Sequence, residues 1–133
     1  MIFVDTSAVI AILAGDPDAA SLAAKLEAER ERISGGHVML EAATRLAALF
    51  GLAPLTADGL VTRLLREADI TIVPITEDIA HASIAAFERY GKGRSGAANL
   101  NFGECLSYAC AKAHDARLLS KGHDFSQTDI ARA

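Results

Sequence analysis

The chain opens on Met1-Ile2-Phe3-Val4, a short run of β-type apolar residues that stops at Asp5. Apolar on both alternating faces, such a run reads as a fully buried strand. A carboxylate at its end, followed by the hydroxyl pair Thr6-Ser7, then faces whatever crevice the strand points into. Thr6 or Ser7 is placed to cap a helix through Ala14. Asp16-Pro17 opens a helix to about Arg30, with Pro at an early helical position. Arg32 to Ser34 reads as a brief strand and Gly35-Gly36 as a turn. Helices are expected over Val38–Phe50, stopped by Gly51, and over Pro54–Ala68. Ile70 to Ile75 is a strand whose Pro74 suits an edge. Thr76 caps a helix to about Tyr90, with Glu77 and Asp78 in its first turn. A Gly-rich loop follows from Gly91 to Asn101. Then come a helix over Phe102–His114, a strand over Ala116–Ser120 and a tail. Strands alternating with helices predict one α/β domain with a mainly parallel sheet and helices on both faces. In such sheets ligands bind at the carboxyl ends of the strands, which is where Asp5 and Asp124 fall.

Composition narrows the function. The 133 residues suffice for one domain, and at 51% hydrophobic and 23% charged they are neither disordered nor fibrous. The formal net charge of -4 excludes a globally basic coat for nucleic acid, so any such contact is local or carried by cations. Cys105 and Cys110 do not form a disulfide framework; on one helix their Cα atoms would lie roughly 8–9 Å apart, too far to bridge. A cytoplasmic protein with no membrane segment is expected, since the longest apolar run, Ala8–Ala14, is too short to span a bilayer.

Four acids stand out, and each has an ordinary reading beside a functional one. Asp5 is a good helix cap or a crevice carboxylate. Glu41, in an otherwise apolar stretch, could pair with Arg45 at i,i+4. Glu104 sits where a helix dipole favours an acid. Asp124 and Asp129 lie in a turn-rich segment. Gathered in one crevice, Asp5, Glu41, Glu104 and Asp124 would repel one another by about 4 kcal/mol per pair at 4 Å and a dielectric of 20. Hard cations with oxygen ligands, Mg²⁺ or Mn²⁺, are their natural partners and suit phosphoryl chemistry. Gly91-Lys92-Gly93-Arg94-Ser95-Gly96 matches a dinucleotide fingerprint but follows a helix where that motif needs a strand. With Arg89, Lys92 and Arg94 it is locally basic and suits RNA phosphates. Cys110 and His114 lack a second metal-ligand pair. His37, His81 and His123 show no nucleophile partner. Ile84 and Phe87 belong to a core or a dimer surface.

These residues resemble a known family. Ile2-Phe3-Val4-Asp5-Thr6-Ser7-Ala8, Glu41, Tyr90-Gly91-Lys92-Gly93-Arg94, Leu100-Asn101-Phe102-Gly103-Glu104-Cys105 and Leu118 to Ile130 are similar to the PIN domains, and among them to VapC-type ribonuclease toxins. The likeness covers residues 1–133 as a single PIN-like domain, and the C-terminal third carries most of it. It implies a three-layer α/β/α fold and an acidic site of Asp5, Glu41, Glu104 and Asp124 binding Mg²⁺ or Mn²⁺, supported by Thr6 or Ser7. It further implies RNA cleavage, a homodimer and a VapB-type antitoxin that masks the site. Two departures stand out. The family usually carries Asp where this chain has Glu104, and its loop over Ser95–Asn99 lacks the usual His and Pro. A degenerate PIN fold that binds its antitoxin without efficient catalysis is one alternative. A phosphoacceptor receiver is another, although Asp5 lacks the paired acid a receiver needs.

Overall fold

The computed structural model describes all residues, 1–133. Four short strands, β1 (Ile2–Val4), β2 (Arg32–Gly35), β3 (Thr71–Val73) and β4 (Arg117–Leu119), form one sheet in the order β3-β2-β1-β4. Every pairing is parallel, with Phe3 beside both Ile33 and Leu118. Parallel neighbours require crossovers, and six helices supply and extend them: α1 (Thr6–Leu13), α2 (Ala19–Ala28), α3 (Gly36–Phe50), α4 (Pro54–Glu67), α5 (Glu77–Tyr90) and α6 (Phe102–Ala113). Helices α1 to α4 pack as one group; α5 pairs with α6, which lies against β1 and β2. The central strands explain the opening run: Ile2, Phe3 and Val4 are wholly buried, as are Leu118 and Leu119 beside them. No helix is long and apolar enough to cross a membrane.

Three local expectations change. Asp5, not Thr6 or Ser7, caps α1, because its carboxylate accepts the Ser7 N–H. Gly35-Gly36 makes no turn: Gly35 ends β2 and Gly36 begins α3 directly. Helix α2 starts at Ala19, after a tight turn in which Ala19 N–H reaches the Asp16 carbonyl, so Pro17 lies outside it. Elsewhere local chemistry and fold agree. Gly51 ends α3 at φ 64°, the left-handed conformation that glycine takes most cheaply. Thr76 caps α5 through the Ile79 N–H.

The last thirteen residues are more than a tail. Phe125 and Ile130 are buried. Leu118 bonds Ala131 and Ala133 through its N–H and carbonyl, covering the outer edge of β4. Asp129 fastens this segment, accepting from Tyr108 and pairing with Lys112 and Arg89.

Candidate functional site: a carboxylate crevice at the ends of the central strands

Strands β1 and β4 end side by side, with Asp5 N–H bonded to the Leu119 carbonyl. Asp5 is 4% exposed, and burial pushes its carboxyl above the ordinary range. Ser7 counters this, donating both its backbone N–H (3.1 Å) and its hydroxyl (2.8 Å) to Asp5 Oδ2. The same hydroxyl accepts the Lys121 N–H at 3.0 Å. Ser7 therefore ties the end of β1 to the segment that carries Asp124.

Glu41, one turn into α3, forms no ion pair with Arg45. Its carboxylate lies against Gly103 on α6, where an added Cβ would come within 2.9 Å of Oε2, and its charge acts on Asp5. Glu104 sits in the first turn of α6 inside a capping box. Its backbone N–H donates to Asn101 Oδ1, and its Oε1 accepts the Asn101 N–H, both at 2.9 Å. Partial burial, then the neighbouring Asp124 and the charge of Asp5, outweigh the Asn101 N–H and raise its carboxyl to about 7. The four acids thus form a chain of neighbours: Glu41 beside Asp5, Asp5 beside Glu104, Glu104 beside Asp124.

These side chains match a hard divalent cation in kind, being all oxygen donors with surplus negative charge. The buried hydroxyls Thr6 Oγ1 and Ser120 Oγ, adjoining the ends of β1 and β4, have no partner and are further oxygens of that type. The arrangement is open: no three acids, histidines or cysteines already surround one point.

The three basic residues lie beside the Gly91 loop. Arg89 pairs with Asp129 at 3.7 Å and covers the Tyr90 ring, whereas Arg94 bonds the Glu88 carbonyl. Lys92 is exposed. The loop is pinned at its base by Lys92 N–H to the Leu100 carbonyl and Leu100 N–H to the Tyr90 carbonyl. Cys105 and Cys110 are free and buried.

Sequence reasoning missed two residues of the crevice. Buried Ser107, on α6, meets His37 Nε2 at 3.0 Å and stabilises the ionised form of Asp5. From sequence, His37 showed no nucleophile partner. The i,i+3 spacing of Glu104 and Ser107, which puts both on one face of α6, was the available signal.

The acids gather at the carboxyl ends of a parallel α/β sheet, where such folds bind their ligands. A profile of the PIN domain matches residues 2–131. Ribonuclease VapC30 of Mycobacterium tuberculosis is 41% identical over 129 residues, spanning 96% of this chain and 95% of its own. Ribonuclease VapC of Mycolicibacterium smegmatis is 39% identical over 129 residues, 96% of each. The crystal structure of Mycobacterium tuberculosis VapC20, a Sarcin-Ricin loop cleaving toxin, superposes with a TM-score of 0.76 at 20% identity, over 100% of this chain and 98% of that one. A toxin–antitoxin complex from Klebsiella pneumoniae gives 0.71 at 20% identity, over 100% and 97%. The chain belongs to the PIN-domain family, in its VapC branch. That membership sets the receiver reading aside.

Proposed function

We propose that this protein is a ribonuclease, the toxin of a toxin–antitoxin pair, and that it cleaves RNA internally with Mg²⁺ or Mn²⁺. Full-length likeness to VapC ribonucleases supports RNA as the substrate. Likeness in fold to a chain of a toxin–antitoxin complex accords with a VapB-type antitoxin as partner. The observation that carries the mechanism is the run of four neighbouring carboxylates, among which burial first, and then Asp124 and the charge of Asp5, raise Glu104 to about 7.

Asp5, Glu41, Glu104 and Asp124 would hold the cation, which supplies charge neutralisation and an activated water for phosphodiester hydrolysis. Ser7 fixes the Asp5 carboxylate from one side, and the capping box sets the direction of Glu104. Thr6 completes the wall beside Asp5. Arg89, Lys92 and Arg94 offer cations for RNA phosphates at the Gly91 loop. Two further elements belong to this reading. One is a cytoplasmic location, which suits two unpaired cysteines. The other is a homodimer formed through the apolar groove of about 620 Å³ between α5 and α6, where Ile84 and Phe102 are 66% and 81% exposed. The second copy is the occupant that suits it, because an isologous contact buries the same residues twice.

A second reading rests on Glu104. Its Oε1 already accepts the Asn101 N–H, which ties that oxygen to the helix cap and accords with a fold that binds its antitoxin yet cleaves poorly. Incubation of total RNA with Mg²⁺, Mn²⁺ or a chelator separates the two. Cation-dependent internal cuts are expected from the unmodified protein and none from Asp5→Asn, with folding intact in both. Equal cleavage by Asp5→Asn, or cleavage in chelator, overturns the proposal. Folded, antitoxin-binding protein with no cleavage selects the second reading.

A further inference from the structure

Helices α3 and α6 meet at two places one turn apart. His37 and Ser107 form the first: Nε2 and Oγ lie 3.0 Å apart, a hydrogen bond in either ring tautomer. Glu41 and Gly103 form the second, where the carboxylate lies so close that a Cβ on Gly103 would stand 2.9 Å from Oε2. His37 comes one turn before Glu41 on α3, and Ser107 one turn after Gly103 on α6. The two pairs are therefore stacked about 6 Å apart along helices that run in opposite directions.

The histidine ring is held on its other sides as well. It stacks on Phe3 of β1, with centroids 6.0 Å apart and planes 15° apart. It fills space that only a glycine at position 35 leaves open, since a Cβ there would fall 2.7 Å from both Cε1 and Nδ1. Phe3 and Ser107 are both 0% exposed, so this strut runs through the core from β1 and β2 to α6. Nδ1 is buried with no partner. An apolar ring of the same shape would pack there without that penalty. What only the imidazole supplies is the bond at Nε2, which fixes both the spacing and the register of α3 on α6. A slip of one residue would move Glu41 by about 1.5 Å along α6.

We infer that His37 is a positioning residue: its hydrogen bond to Ser107 pins α3 to α6 and so holds the Glu41 carboxylate against Gly103, in the first turn of α6. The consequence for cation binding rests on the reading of Glu41 as a metal ligand. Groups that orient ligating side chains change metal affinity by roughly 10–100-fold when removed.

The first arm of the test needs no metal. In ¹⁵N–¹H spectra of the metal-free protein, Glu41→Gln should shift the Gly103 amide, because it removes a charge lying against that residue. Made in a protein that also carries His37→Phe and Ser107→Ala, the same substitution should shift it far less. An equal shift in both backgrounds, or none in the unmodified one, overturns the proposal. Replacing both bonded partners by apolar groups should leave the melting temperature nearly unchanged, which separates loss of position from loss of fold. If that double variant does not fold, Ser107→Ala alone carries the Gly103 measurement. The second arm is calorimetry with Mn²⁺. Binding should weaken roughly tenfold or more for His37→Phe and for Ser107→Ala, with little further loss when the two are combined, because they remove one bond. His37→Gln, whose side-chain amide can reach the Ser107 hydroxyl, should recover most of the affinity; no recovery overturns the role of the bond. Unchanged binding by a folded His37→Phe overturns the proposal. Failure of the unmodified protein to bind Mn²⁺ overturns the reading of Glu41 as a ligand, while the Gly103 amide still decides whether His37 holds it in place.

Discussion

Glu104 is held by two demands at once. As the third residue of α6 it closes a capping box on Asn101; as a crevice acid it faces Asp124 and Asp5. Its folded-state carboxyl, at about 7, lies above the ordinary 4.5. The sign follows from linkage. The unfolded chain releases this proton first, so Glu104 contributes stability that is full below about 4.5 and lost as pH rises through about 7. In chelator, the melting temperature should therefore fall between about pH 5 and about pH 8, and Glu104→Gln should flatten that fall. A steeper fall in the variant would contradict the assignment. The capping box gives Glu104 a structural role of its own, because its side chain reaches back to the Asn101 N–H. Glu104→Asp should cost up to ~1 kcal/mol of stability in urea unfolding and leave RNA cleavage unchanged or lower. A large rise in cleavage would instead mark Glu104 as a lesion.

At the scale of elements, the crevice depends on how closely α6 approaches α3. Gly103 permits the contact, since any Cβ there would press on Glu41 Oε2. Ala is the better helix former by up to about 1 kcal/mol, so Gly103→Ala should hold or raise the melting temperature while cleavage falls. A loss of stability with cleavage intact would show that Glu41 is not engaged there. The same contact shows what sequence could and could not reveal. The run ending at Asp5 announced a buried strand because both of its faces are apolar, and Pro74 announced the edge that β3 occupies. Gly35-Gly36 looked like a turn because diglycine usually supplies flexibility; here Gly35 supplies space for His37. Asp5 was readable as a cap or as a site acid; the structure shows the cap. The Ser107–His37 pairing joins positions 70 residues apart and has no local signature. Asp129 looked like the other acids of its segment, yet it serves the packing of the C-terminal residues.

For the whole molecule, the groove between α5 and α6 exposes an apolar face that includes Ile84, Phe87 and Phe102. Ile84→Glu alters an exposed side chain, so the fold should persist. If two copies meet there, light scattering at micromolar concentration should show the unmodified protein as a dimer and the variant as a monomer. A monomeric unmodified protein, or a variant that stays dimeric, removes this face from the proposal. The sheet order β3-β2-β1-β4 sets a further condition through Ser7, whose hydroxyl joins Asp5 to the Lys121 N–H across 114 positions of sequence. Contacts between the two ends of a chain form late, because a long loop must close before they are rewarded. During synthesis, Asp5, Glu41 and Glu104 are all joined to the chain before β4 (Arg117–Leu119) and Asp124 exist. Until then β1 lacks one neighbour, Ser7 lacks its backbone donor, and the crevice has three walls. The order of translation thus delays completion of the acidic site until β4 and Asp124 have been made.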